Sequence, residues 1–193
     1  MEAAATPMPV THPARVAVVG LGNVLQGDDA FGPYVIRVLQ ARFDLDPRVE
    51  VQDLGTPGLH LIAHLAGIDA LIVVDTVRFD APPGTVRTYR RHEVLRHPPQ
   101  PRSSPHEPGL KEALLVAELA GGGPAELLLV GAVPERVDTA LGLSAPVRRA
   151  VDRAVEEVGR ELARLGLPPL PRAHPAPPAV WWEEPLGPTR PSP

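Results

Sequence analysis

Short apolar runs rich in β-branched residues alternate along this chain with segments whose apolar residues recur at helical spacing, and no other feature restricts its fold as much. The runs are "RVAVVG" (15–20), "VEVQDL" (49–54), "ALIVVD" (70–75), "TVRTYR" (85–90) and "ELLLVGAV" (126–133). Between and after them lie "PYVIRVLQAR" (33–42), "LHLIAHLA" (59–66), "PGLKEALLVAELAGG" (108–122) and "SAPVRRAVDRAVEEVGRELARLG" (144–166). A continuous apolar run such as "ALIVVD" suits a strand buried on both faces. Strands alternating with helices predict an α/β fold: a three-layer sandwich with a twisted, mostly parallel sheet and helices on both faces. In the last helix Val147, Val151, Ala154, Val158, Leu162 and Leu165 share one stripe. Ser144 is placed to cap that helix and Gly166 to end it. The polar, proline-bearing stretch 91–105 predicts a long loop.

A length of 193 residues suits one domain, expected over residues 14–167. Residues 1–13 are expected to form a flexible arm. Residues 168–193 hold ten of the 26 prolines and are expected to be an extended or disordered tail. Within that tail "VWWEEP" (180–185) stands out. Its tryptophans are expected to pack back on the body or on a neighbouring molecule rather than to serve as a docking motif. The net charge of −4 argues against a nucleic-acid partner. The absence of cysteine excludes disulfides, a thiolate nucleophile, Cys-ligated zinc and iron–sulfur clusters. The start "MEAAATPMPVTHPA" has neither a basic beginning nor an apolar run, so no signal peptide is expected. No apolar run reaches the length of a membrane span. A cytoplasmic location without membrane contact is therefore expected, and a monomer.

The loops that follow strands carry the chemistry in such a sheet, because ligands bind beyond the carboxyl ends of strands where strand order reverses. After the first run comes "GLGNVLQGDDAFG" (20–32). It opens like a dinucleotide turn, with Gly20 and Gly22, but the third glycine position is Leu25. Asp28 and Asp29 then lie where a pyrophosphate would sit and would repel it. Asp75 ends the "ALIVVD" run, and His106 sits in "SSPHEPG" before the next helix. Two carboxylates and one imidazole suit a hard or borderline divalent cation with open coordination positions. Each residue also has a plainer reading. Asp28 or Asp29 could cap a helix, Asp75 could be a solvated strand end, and His106 one of seven histidines in the chain. Nucleophile readings are weaker. No G-x-S-x-G elbow and no H-E-x-x-H helix occurs.

Five blocks in order carry a family resemblance: "GLGNVLQGDDAFG" (20–32), "DLGTPGLHLIAHL" (53–65), "LIVVDTV" (71–77), "SPHEPGL" (104–110) and "LLLVGAVPERVDTALGLSAPV" (127–147). They resemble the hydrogenase maturation proteases, endopeptidases that trim the C-terminus of the nickel–iron hydrogenase large subunit. The resemblance implies that Asp29, Asp75 and His106 contact the metal and carry the catalysis, with Asp28 a structural neighbour. Gly55, Thr56 and Gly58 match the family's G-T-x-G turn. The implied partner is the nickel-loaded large-subunit precursor. The implied metal is nickel supplied by that substrate, with zinc or cadmium able to occupy the site in vitro. The metal's part in such a site is open: it can polarise the scissile carbonyl, activate a water or only position the substrate. A non-catalytic checkpoint or chaperone that grips the same precursor would need the same three residues.

Overall fold

The computed structural model describes residues 15–96 and 109–183. Its centre is a five-stranded sheet of β1 (Val16–Leu21), β3 (Val49–Gly55), β4 (Ala70–Thr76), β5 (Val86–Arg90) and β6 (Glu126–Ala132), in the order β3-β1-β4-β6-β5. The first four strands in that order run parallel, and β5 closes the edge antiparallel to β6. The two-residue strands β2 (Phe43–Asp44) and β7 (Leu170–Pro171) pair separately. β1 and β4 read as continuous apolar runs because helices cover them on both sides.

Strand parity divides the core. Val16, Val18, Ile72, Val74, Leu128 and Val130 point toward α1 (Phe31–Arg42) and α5 (Ala145–Arg164). Ala17, Val19, Leu71, Val73, Leu127 and Leu129 point the other way, toward α2 (Leu61–Leu65) and α4 (Leu110–Leu119). The result is the three-layer α/β sandwich that the alternation implies. From β1 the chain crosses through α1 to β3 on one side. It then returns through α2 to β4 on the other. Strand order therefore reverses between β1 and β4, and a crevice is expected at their carboxyl ends.

Local structure differs from the sequence reading in three places. Residues 91–96, expected as part of a long loop, form the short helix α3 (Arg91–Arg96), which buries Val94. Ser144 occupies the N-cap position of α5 but makes no side-chain cap bond. Its hydroxyl is committed to Asp28 at 2.9 Å instead. The proline-rich segment, expected to be extended or disordered, is largely extended up to a 3₁₀ turn at Trp181–Glu183, but it is no free tail, and Trp182 packs back on the body as expected of it. β7 pairs with β2, the Arg172 N–H donates to the Arg42 carbonyl at 2.9 Å, and Trp182 is buried in the main core. Proline suits such a strap, since it needs few ladder bonds. The body accordingly continues past residue 167 to Glu183, while the 1–13 arm and the end of the tail lie outside the described residues. Among the described residues no helix is long and apolar enough to cross a membrane.

Candidate active site

The turn after β1 is shaped by close backbone approach. Gly22 has φ of +131°, and a Cβ there would fall 1.8 Å from the Asp29 carbonyl oxygen. Gly32 lets the first turn of α1 settle on the sheet, where a Cβ would meet the Leu21 oxygen at 2.2 Å and the Val74 oxygen at 2.5 Å. Both positions exclude a side chain on sterics. A 3₁₀ turn, Gly27–Ala30, then carries both acids before α1 begins.

The two acids have different surroundings. Asp28 is fully buried and accepts four hydrogen bonds. The Ser144 N–H donates to Oδ1 at 2.6 Å; the Glu135 N–H, the Arg136 N–H and the Ser144 hydroxyl donate to Oδ2 at 2.9, 3.0 and 2.9 Å. Backbone bonds join the same two loops: Gly27 N–H to the Ala140 carbonyl at 2.8 Å and Ala140 N–H to the Leu25 carbonyl at 3.2 Å. Asp28 therefore pins the β1 turn to the loop between β6 and α5. That gives physical content to the structural role implied for it.

Asp29 is also buried, but it reaches toward β4. Its Oδ2 accepts the Asn23 N–H at 2.8 Å and its Oδ1 accepts the Thr76 hydroxyl at 3.1 Å. A nucleotide loop would offer such a backbone N–H to a phosphate; here the chain's own carboxylate uses it. Asp75 precedes Thr76 and its Oδ1 accepts the Thr76 N–H at 2.6 Å. By strand alternation Asp75 shares the parity of Leu71 and Val73, on the α2 and α4 side, while Thr76 turns toward Asp29. The carboxylates thus stand at the ends of the two strands that flank the reversal, and Thr76 bonds to both through its two donors.

His106, the third expected ligand, lies outside the described residues, three positions before Gly109 at the N-cap of α4. Among the described residues no group of three or more acids and histidines is placed to hold a metal ion. Gly55 has a positive φ of +57°, and its N–H donates to Asp53 Oδ1 at 3.1 Å, closing the end of β3. Asp53 also faces Arg37 Nη2 at 3.6 Å and is a further carboxylate at this edge of the sheet. Sequence reasoning missed Thr76, Asn23 and Asp53. Thr76 could have been found by parity, as a hydroxyl at a strand end one residue out of phase with Asp75.

Fold and site together define a doubly wound α/β protein with two hydrogen-bonded carboxylates at its strand-order reversal. Comparison with known proteins narrows this class. The family model for hydrogenase maturation proteases matches residues 33–161. The hydrogenase expression/formation protein HoxM of Cupriavidus necator is 37% identical over 158 residues, spanning 81% of this chain and 78% of that protein. The hydrogenase 2 maturation protease of Escherichia coli is 35% identical over 159 residues, 82% of this chain and 96% of its own length. The solved structure of the hydrogenase maturating endopeptidase HybD from E. coli aligns with a TM-score of 0.75 at 34% identity, covering 82% of this chain and 98% of that one. The chain belongs to the hydrogenase maturation protease family, and its activity is that of a hydrogenase maturation endopeptidase.

Proposed function

We propose that this endopeptidase removes a C-terminal peptide from the nickel-loaded large-subunit precursor of a nickel–iron hydrogenase. In this reading it recognises the substrate's own nickel through Asp29, Asp75 and His106. The observation that carries it is the placing of Asp29, in the turn after β1, and Asp75, at the end of β4, where each is hydrogen-bonded to Thr76. Asp29 accepts one bond on each oxygen, which fixes its orientation and leaves each oxygen a further lone pair. Two carboxylate oxygens and an imidazole make an open donor set for a borderline divalent ion. Such a set completes the coordination of an ion that already has ligands on the substrate.

The nickel thereby acts as a docking point that fixes the scissile peptide bond beside the carboxylates. Positioning of this kind converts an encounter into a near-unimolecular reaction. Hydrolysis also needs a water that loses a proton as it attacks the carbonyl, and a neighbouring carboxylate is the base available in the site. The substitutions Asp29→Asn, Asp75→Asn and His106→Ala test the assignment. Each is expected to lower processing of the precursor by about 100-fold or more, the scale of losing a positioned general base, with the melting temperature little changed. Full processing by any one variant removes that residue from the site.

A further inference from the structure

The rim of the candidate site carries apolar side chains that the core does not use. Leu25 is 54% exposed, Leu141 58% and Trp181 61%. They come from three distant parts of the chain, yet the backbone brings those parts together. Gln26 and Ala140 form a parallel bridge, which sets Leu25 and Leu141 on neighbouring, mutually bonded strands of loop. Gly142 abuts the strap so closely that a Cβ there would lie 2.6 Å from Glu183 Oε1. Glu183 in turn is bound by Arg148 and by the Tyr34 hydroxyl. Trp182 is the anchor, buried edge-on against the Tyr34 ring at 5.7 Å between centroids. Its neighbour Trp181 stands edge-on to it at 5.8 Å and remains outside.

We propose that Leu25, Leu141 and Trp181 form one apolar docking surface for the folded body of the large-subunit precursor, beside the acids that receive its C-terminal segment. The inference rests on the proposed substrate and extends it to a second area of contact. Continuity with the acid site identifies the occupant. Leu25 lies in the same turn as Asp29, and that turn is locked to the Leu141 loop by Asp28. Leu25 stands four positions before Asp29 in that turn, so the proposed substrate at Asp29 lies alongside this pair of bonded loops. The surface is also preorganised. Its loops are fixed by backbone bonds and by the Trp182 anchor, so little ordering cost falls on binding. A rigid tryptophan with apolar neighbours is the composition from which binding hot spots are built.

Steady-state processing of the nickel-loaded precursor by the full chain tests this. Leu25→Asp, Leu141→Asp and Trp181→Asp are each expected to raise KM by about tenfold with kcat within about twofold, the pattern of lost ground-state binding. Leu170→Asp is the control, because Leu170 is 64% exposed on β7, near the far end of α1. It is expected to leave both constants unchanged. Unchanged KM in the three rim variants, or an equal rise in the control, overturns the proposal. If the wild type does not cut the precursor, the proposed activity fails separately. Gel filtration of the mixture then decides the docking surface: a complex lost in the rim variants supports it, and one retained overturns it. Two other occupants have their own signatures. Substitutions that lose their effect once residues 184–193 are deleted mean that the chain's own end covers the surface. A wild-type dimer that the substitutions split means that a second copy does. Either result overturns the proposal.

Discussion

Asp28 and Asp29 are chain neighbours in one 3₁₀ turn, yet Asp28 gathers four donors from the β6–α5 loop while Asp29 bonds to Asn23 and Thr76. An acceptor-only group fits the Asp28 pocket because every contact there is a donor. Asp28→Asn keeps the shape but turns an NH₂ toward an N–H or hydroxyl donor whichever way the amide is placed. Leaving buried partners unsatisfied in this way is expected to cost about 3 kcal/mol of stability, read as a lower denaturation midpoint at unchanged slope. An unchanged midpoint would show that the pin between the two loops carries no stability. Position in the chain made both acids legible, because charge after a β-rich run cannot serve a phosphate. The division between them was less legible. It depends on which carboxylate meets the backbone of residues 135, 136 and 144, more than a hundred positions away, and that no local pattern encodes.

At the scale of elements, the strap from Leu170 to Glu183 departs most from what composition suggests. Proline density reads as failure to form helix or ladder, and that much is physically sound. It does not report packing, which here rests on one buried aromatic and an ion pair at the strap's end. Trp182 belongs to the same cluster as Tyr34, Leu143 and Val147. Trp182→Ala is expected to destabilise the chain by about 3–5 kcal/mol, the range for truncating a buried aromatic, measured by denaturant unfolding. A loss under about 1 kcal/mol would mean that the strap is ornamental.

Glu183 adds a pH dependence. Burial works against its ionisation, but hydrogen bonds from Arg148 and Tyr34 outweigh that and hold its carboxyl below the usual glutamate range. A lowered folded-state pKa stabilises above the unfolded value, and the contribution is lost as pH falls through the folded one. Glu183→Gln should therefore narrow the stability difference between neutral and acidic pH. The helix α3 escaped notice for a simpler reason. It is six residues long with one buried apolar side chain, too short to show a period.

For the whole molecule, alternation of runs was enough to give the sandwich, since each strand's apolar character and each helix's stripe point to the same layers. Strand order was not legible, because parallel strands look alike until long-range pairing arranges them. That order places β1 beside β4 and so brings the turn carrying Asp29 to the end of the run carrying Asp75. The functional reading depends on this juxtaposition more than on any single residue. If nickel on the substrate is what the acids recognise, cleavage must depend on the metal state of the precursor. The direct measurement is the intact mass of purified large-subunit precursor, nickel-loaded and nickel-free, after incubation with this protein. Loss of a short C-terminal peptide from the nickel-loaded form alone is the expected result. An unchanged mass while a complex forms would make the chain a checkpoint without cleavage, and equal trimming of the nickel-free form would contradict recognition through the metal.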